Sequence, residues 1–81
     1  MNRQRFETRY PLLNWVLKRG QQILAVRVSQ TGKRYQVSVS SLSENTRLYA
    51  GGFQRGRNAL RIHAALVAGL RDAGWRTVAY R

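Results

Sequence analysis

The sequence predicts an α+β domain: a three-stranded antiparallel sheet packed by one long helix, with a short N-terminal helix and a short C-terminal strand, in the order α-β-β-β-α-β. Three observations predict it. Residues Arg34 to Ser41 alternate strictly, with Tyr35, Val37 and Val39 on one side and Arg34, Gln36, Ser38 and Ser40 on the other. The tetrapeptide Gln30-Thr31-Gly32-Lys33 separates this run from an earlier alternating one, as a hairpin turn does. Ala59 to Ala73 is rich in Ala and Leu and is followed by Gly74, the pattern of a helix and its stop.

Each element follows in order. Residues 1–9, MNRQRFETR, have no apolar periodicity and carry Arg3, Arg5 and Arg9, so they read as a mobile basic arm ahead of a single domain spanning residues 10–81. Tyr10 to Arg19 reads as a short helix, with Pro11 in its first turn, Leu12, Leu13, Val16 and Leu17 at helical spacing, Lys18 and Arg19 at its negative end, and Gly20 as its stop. The competing reading is an edge strand, since ten residues are few and Trp15 and Val16 favour strands.

Gln22 to Ser29 alternates as a half-buried strand, with Leu24, Val26 and Val28 on its apolar side. After Arg34–Ser41, the turn Ser43-Glu44-Asn45-Thr46 leads into a third strand, Arg47 to Phe53, whose Gly51 and Gly52 mark a bulge or a close backbone approach. Gln54–Arg57 is a basic loop and Asn58 the expected N-cap. Ile62, Leu66, Leu70 and Ala73 line one stripe of the long helix, widened by Leu60, Ala64 and Val67, so the helix lies flat on the sheet. Trp75 folds back on the last helical turn, and Thr77–Tyr80 forms the terminal strand, at the sheet edge or in a homodimer contact.

Composition points to the partner. The chain has 81 residues, 15 Lys and Arg against 3 Asp and Glu, and a net charge of +12. Such an excess repels itself, and a phosphate backbone relieves that repulsion while releasing counterions. Nucleic acid is therefore the expected partner, unless the arginines only reflect genome composition and serve solubility. There is no cysteine, which fits a reducing cytosol. The first nine residues lack the apolar run of a secretory signal, and no stretch reaches the roughly 20 apolar residues that span a bilayer. A cytoplasmic protein with no membrane contact is expected.

The residues argue against an enzyme and against a cofactor or metal. Glu7, Glu44 and Asp72 are scattered, and His63 is the one histidine. Converging carboxylates, a zinc set or a Ser-His-Asp triad cannot be assembled from these. His63, on the long helix, reads as a partly buried or surface histidine and not as a ligand. Gly51 to Gly56 lacks the Lys-Ser/Thr of a phosphate-binding loop, so its glycines read as structural, although Arg55, Arg57 and Arg61 surround the helix start as a docking point for a backbone phosphate.

The principal candidate site is the sheet. If Leu24, Val26, Val28, Tyr35, Val37, Val39, Leu48 and Ala50 face the helix, then Arg27, Ser29, Arg34, Gln36, Ser38, Arg47 and Tyr49 face away. That face would be cationic and rich in hydrogen-bonding groups, suited to a DNA major groove, with Arg reading guanine, Gln reading adenine, and Arg3, Arg5, Arg9, Arg55, Arg57 and Arg61 holding phosphates. The plain alternative is an ordinary solvated face.

Tyr35, Val37, Val39, Gly51 or Gly52, Phe53, Ala59, Ala64 and Ala65, within KRYQVSVSSLSENTRLYAGGFQRGRNALRIHAALVAGL, resemble the three-stranded DNA-binding domains of tyrosine-recombinase integrases and plant ethylene-response factors. The resemblance covers about half the chain and implies that Arg27, Arg34, Gln36, Arg47 and Tyr49 approach DNA. Gln54-Arg55 departs from the acid or Thr usual after the Phe. A second likeness, through Leu12-Leu13-Asn14 and the order helix, three strands, helix, is to the double-stranded-RNA-binding domain. That family's Lys-Lys-x-Ala-Lys cluster is absent, with only Arg57 and Arg61 near the helix start. DNA is favoured over RNA, and an inhibitor or adaptor for an acidic protein is the non-nucleic-acid alternative.

Overall fold

The computed structural model describes the backbone of residues 9–81 and the side chains of residues 11–81. Its chain order is β1 (Arg9–Arg19), β2 (Gln22–Thr31), β3 (Arg34–Ser41), β4 (Thr46–Phe53), α1 (Gly56–Asp72) and β5 (Arg76–Tyr80). The strands form one antiparallel five-stranded sheet in the order β4-β3-β2-β1-β5. Helix α1 runs from the β4 edge to the β5 edge across one face, leaving the other open. The result is a single small α+β domain.

The expected three-stranded sheet and N-terminal helix are therefore corrected. Residues 9–19 are a strand, and it is internal, paired with β2 on one side and β5 on the other. Two periods compete in this segment. Leu13 and Leu17 share a face in either conformation, but only a strand puts Trp15 between them on that face. Packing decides: Leu17 is fully buried, and both Leu17 and Trp15 belong to the core against Leu24, Val26 and Val67. Pro11, which suited a helix start, precedes an irregularity in the β1–β2 register at Leu12, where no regular ladder is interrupted.

Gly20 has φ +62°, but it opens the hairpin between Arg19 and Gln22 rather than stopping a helix. Gly32, with φ +61°, does the same between Thr31 and Arg34. A positive φ at the first of two loop residues only is the II′ geometry that matches strand twist. The β3–β4 loop spans four residues and ends in left-handed Asn45, φ 54°. Buried Ser41 organises its start, accepting from the Glu44 N–H at 3.1 Å and lying 3.3 Å from the Ser43 hydroxyl.

The core is the layer between sheet and helix. Leu17, Val26, Val28 and Val37 are its largest fully buried side chains. Ala59, His63 and Val67 are the buried residues of α1, with Ile62, Leu66 and Leu70 beside them. The buried stripe is thus rotated from the expected one, and Leu60 and Ala64 lie on an exposed flank. The N-cap is Arg55, with no side-chain cap bond, and not Asn58. The other end matches expectation. Gly74, at φ +96°, donates to the Arg71 carbonyl at 3.0 Å, and Trp75 donates to Leu70 at 3.0 Å, a Schellman pair. Arg19 completes it, donating to the Ala73 carbonyl at 3.0 Å with its guanidinium 5.0 Å from the Trp75 ring centre.

Candidate nucleic-acid interface

Strand alternation fixes which side chains reach the open face. Leu24, Val26 and Val28 pack under the helix, so Arg27 and Ser29 of β2 point away from it. In β3, Tyr35, Val37 and Val39 face the helix, sending Arg34, Gln36, Ser38 and Ser40 outward. Cross-strand partners share a face, which adds Asn14 opposite Arg27, Lys18 opposite Ile23, and Arg47 opposite Ser40. Arg27, Ser29, Gln36, Ser38, Ser40 and Arg47, with Pro11, line a shallow concavity of about 260 Å³ at the middle of this face. Arg34 lies toward the β2–β3 hairpin, lining a second depression with Thr31, Gln36 and Gly52. Arg27 is oriented by a hydrogen bond from its Nε to Asn14 Oδ1, 3.2 Å, which leaves its terminal nitrogens free for another acceptor.

Tyr49 is not on this face. Val39 pairs with Tyr49 and Ser40 with Arg47, leaving Leu48 as an extra residue. This bulge reverses the alternation for the rest of β4, so Tyr49, Gly51 and Phe53 turn to the helix side and Ala50 to the open side. A Cβ on Gly51 would meet the Tyr49 hydroxyl and lie 3.4 Å from Phe53 Cε2, so the two rings close over that glycine. Leu48, expected under the helix, is 57 % exposed and shares a rim cavity with Leu24, Ser41 and Trp75. Arg47, before the bulge, keeps its expected side.

Arg55, Arg57 and Arg61 are exposed around the start of α1. No acidic residue occupies that first turn, and among the described residues no opposing charge stands beside these three cations near the positive end of the helix dipole. Arg3 and Arg5 lie outside the described residues. Arg9 opens β1, pairing with Thr31, while its side chain lies outside the described ones.

His63 is buried within the helix–sheet layer, 4 % exposed. Its Nε2 lies 3.3 Å from the Val26 carbonyl, and a carbonyl only accepts, so Nε2 carries the proton. Trp15 meets the imidazole edge-on at 5.9 Å between ring centres. Burial holds the imidazole below its usual pKa, outweighing the Val26 hydrogen bond, which works in the other direction. This is a structural histidine.

Sequence reasoning did not find the aromatic cleft beside β5, where Trp15, Trp75 and Tyr80 come together on the helix side. Its signal was the placement of both tryptophans, read separately as a strand former and a helix cap. Comparison with protein-family models, curated proteins and solved structures finds no match for this chain.

Proposed function

We propose that this is a small, non-enzymatic DNA-binding domain that lays its open sheet face on a duplex. The observation that carries the reading is the make-up of that face. Lys18, Arg27, Arg34 and Arg47 share it with Gln36, Ser29, Ser38 and Ser40, and no carboxylate of the described residues stands among them. Arginines can anchor phosphates or take guanine edges, and the shorter polar side chains between them let the backbone of a groove approach. The cluster at Arg55, Arg57 and Arg61 supplies a second, sequence-independent hold.

The RNA alternative loses one of its supports, because the segment that would be the first helix of a double-stranded-RNA-binding domain is β1. An NMR titration with a short DNA duplex tests the proposal. The expected shifts fall on the amides and side chains of Arg27, Arg34, Gln36 and Arg47. Shifts confined to the helix, or none at low salt, would overturn it. Arg34→Ala with Arg47→Ala is expected to blunt sequence discrimination more than Arg3→Ala with Arg5→Ala.

A further inference from the structure

On the opposite side of the sheet, a cleft of about 610 Å³ runs between the C-terminal half of α1 and β5, lined by Trp15, Arg71, Trp75, Arg76, Thr77 and Tyr80. It continues past Trp15 and Arg71 into an apolar groove of about 440 Å³ walled by Leu60, Ala64 and Val67. Helix α1 buries itself on β2 and β3, which leaves the helix-side face of β1 and β5 only partly covered. Tyr80 is 69 % exposed and lies 5.3 Å from Trp15, ring centre to ring centre. An exposed ring backed by a half-buried one, with Arg71 beside them, is the combination that holds a planar group bearing negative charge.

We propose that this cleft takes an unpaired nucleotide of a nucleic acid strand, its base stacked on the exposed face of Tyr80, which Trp15 backs, and its phosphate held by Arg71. A stacked base needs an accessible aromatic face and a cation within reach of the backbone, and the cleft supplies both. A second copy of this chain fits less well, since its arginines would meet Arg71 with like charge. The route from the duplex face is also on the molecule. Arg76 pairs with Lys18 and shares its open face at the β5 edge strand, while Arg71 lines the cleft on the other side of that edge, so cations flank the edge from both faces. The inference rests on the nucleic-acid reading and sharpens it. The preferred ligand is a duplex with a single-stranded extension, not a blunt duplex.

Both tryptophans of the chain line the cleft, so their emission reports on it directly. Four DNA probes are compared: a blunt duplex, the same duplex with a short thymidine overhang, the thymidine strand alone, and thymidine monophosphate. The overhang and the strand are expected to quench tryptophan emission, and the blunt duplex is not. Tyr80→Ala, and separately Arg71→Ala on the exposed helix, are expected to weaken strand binding about tenfold, the loss of one stacked base or one phosphate contact. Blunt-duplex binding should stay unchanged. Equal affinity for blunt and overhang probes, or unchanged strand binding in both variants, would overturn the inference while leaving the sheet-face reading intact. Strand binding with quenching but no duplex binding would overturn the sheet-face reading and keep the cleft. Quenching by the monophosphate at the same affinity as by the strand would make it a free-nucleotide site, and emission that changes with protein concentration alone would assign it to a second copy. Either result contradicts the proposal.

Discussion

His63 is buried neutral, and its stability consequence has a definite sign. Because burial holds its folded pKa below the usual 6.5, the unfolded chain takes up this proton at higher pH than the folded one does. Its contribution is therefore complete above about pH 6.5 and is lost as pH falls through that value toward the lower folded pKa. Denaturant titrations between about pH 7.5 and pH 5 should show stability falling with acid, and His63→Gln should flatten that slope. An unchanged slope would place the acid sensitivity elsewhere. At the helix start, Arg55 is a poor N-cap, so Arg55→Ser should raise stability by about 1 kcal/mol in thermal or chemical melts. The same change should weaken duplex binding if Arg55 holds a phosphate. Thr77 is the contrasting case: its hydroxyl is buried without a hydrogen-bond partner among the described residues. Thr77→Val, of similar shape, should leave stability unchanged or raise it by up to about 1 kcal/mol.

The element that most separates the folded chain from its sequence is β1. As an internal strand it places Leu17 at the bottom of the core, fully buried. Leu17→Ala should then cost about 2–5 kcal/mol, much of what a domain of this size has to lose. A change below about 1 kcal/mol, read from denaturant melts, would fit a peripheral segment and contradict the internal strand. The strands β2 and β3 were legible because Leu24, Val26 and Val28 alternate with Ala25, Arg27 and Ser29, and Tyr35, Val37 and Val39 with Arg34, Gln36, Ser38 and Ser40, a period of two that a helix would not sort onto one face. The helix and its Schellman end were legible for a similar reason, with Gly74 and Trp75 marking the stop. In β1, Leu13 and Leu17 satisfy both periods, and Trp15 carries the distinction only once β2 and α1 are there to bury it. In β4, Leu48, Tyr49 and Ala50 are all compatible with either face, so nothing in their identity announces the bulge that moves Tyr49 across the sheet. The candidate face therefore survives in β2, β3 and Arg47, where alternation is unambiguous, and loses Tyr49, where it is not.

At the scale of the whole molecule, the +12 charge is distributed over surfaces with different geometry. The open sheet face carries Lys18, Arg27, Arg34 and Arg47, with Arg76 beside Lys18 at its β5 edge, the helix start carries Arg55, Arg57 and Arg61, and the cleft beside β5 carries Arg71. Charge spread evenly over a solvated surface would make every arginine equivalent in its effect on binding. A built interface makes them unequal. The most direct test is the salt dependence of duplex binding, measured for the unaltered chain and for Arg27→Ala with Arg47→Ala. The account predicts binding that weakens steeply as salt rises, with the slope reduced by about 1 for each arginine that held a phosphate, or discrimination between sequences reduced where it held a base. Unchanged affinity, slope and discrimination in the double variant would contradict the claim that the open sheet face is where this protein meets DNA.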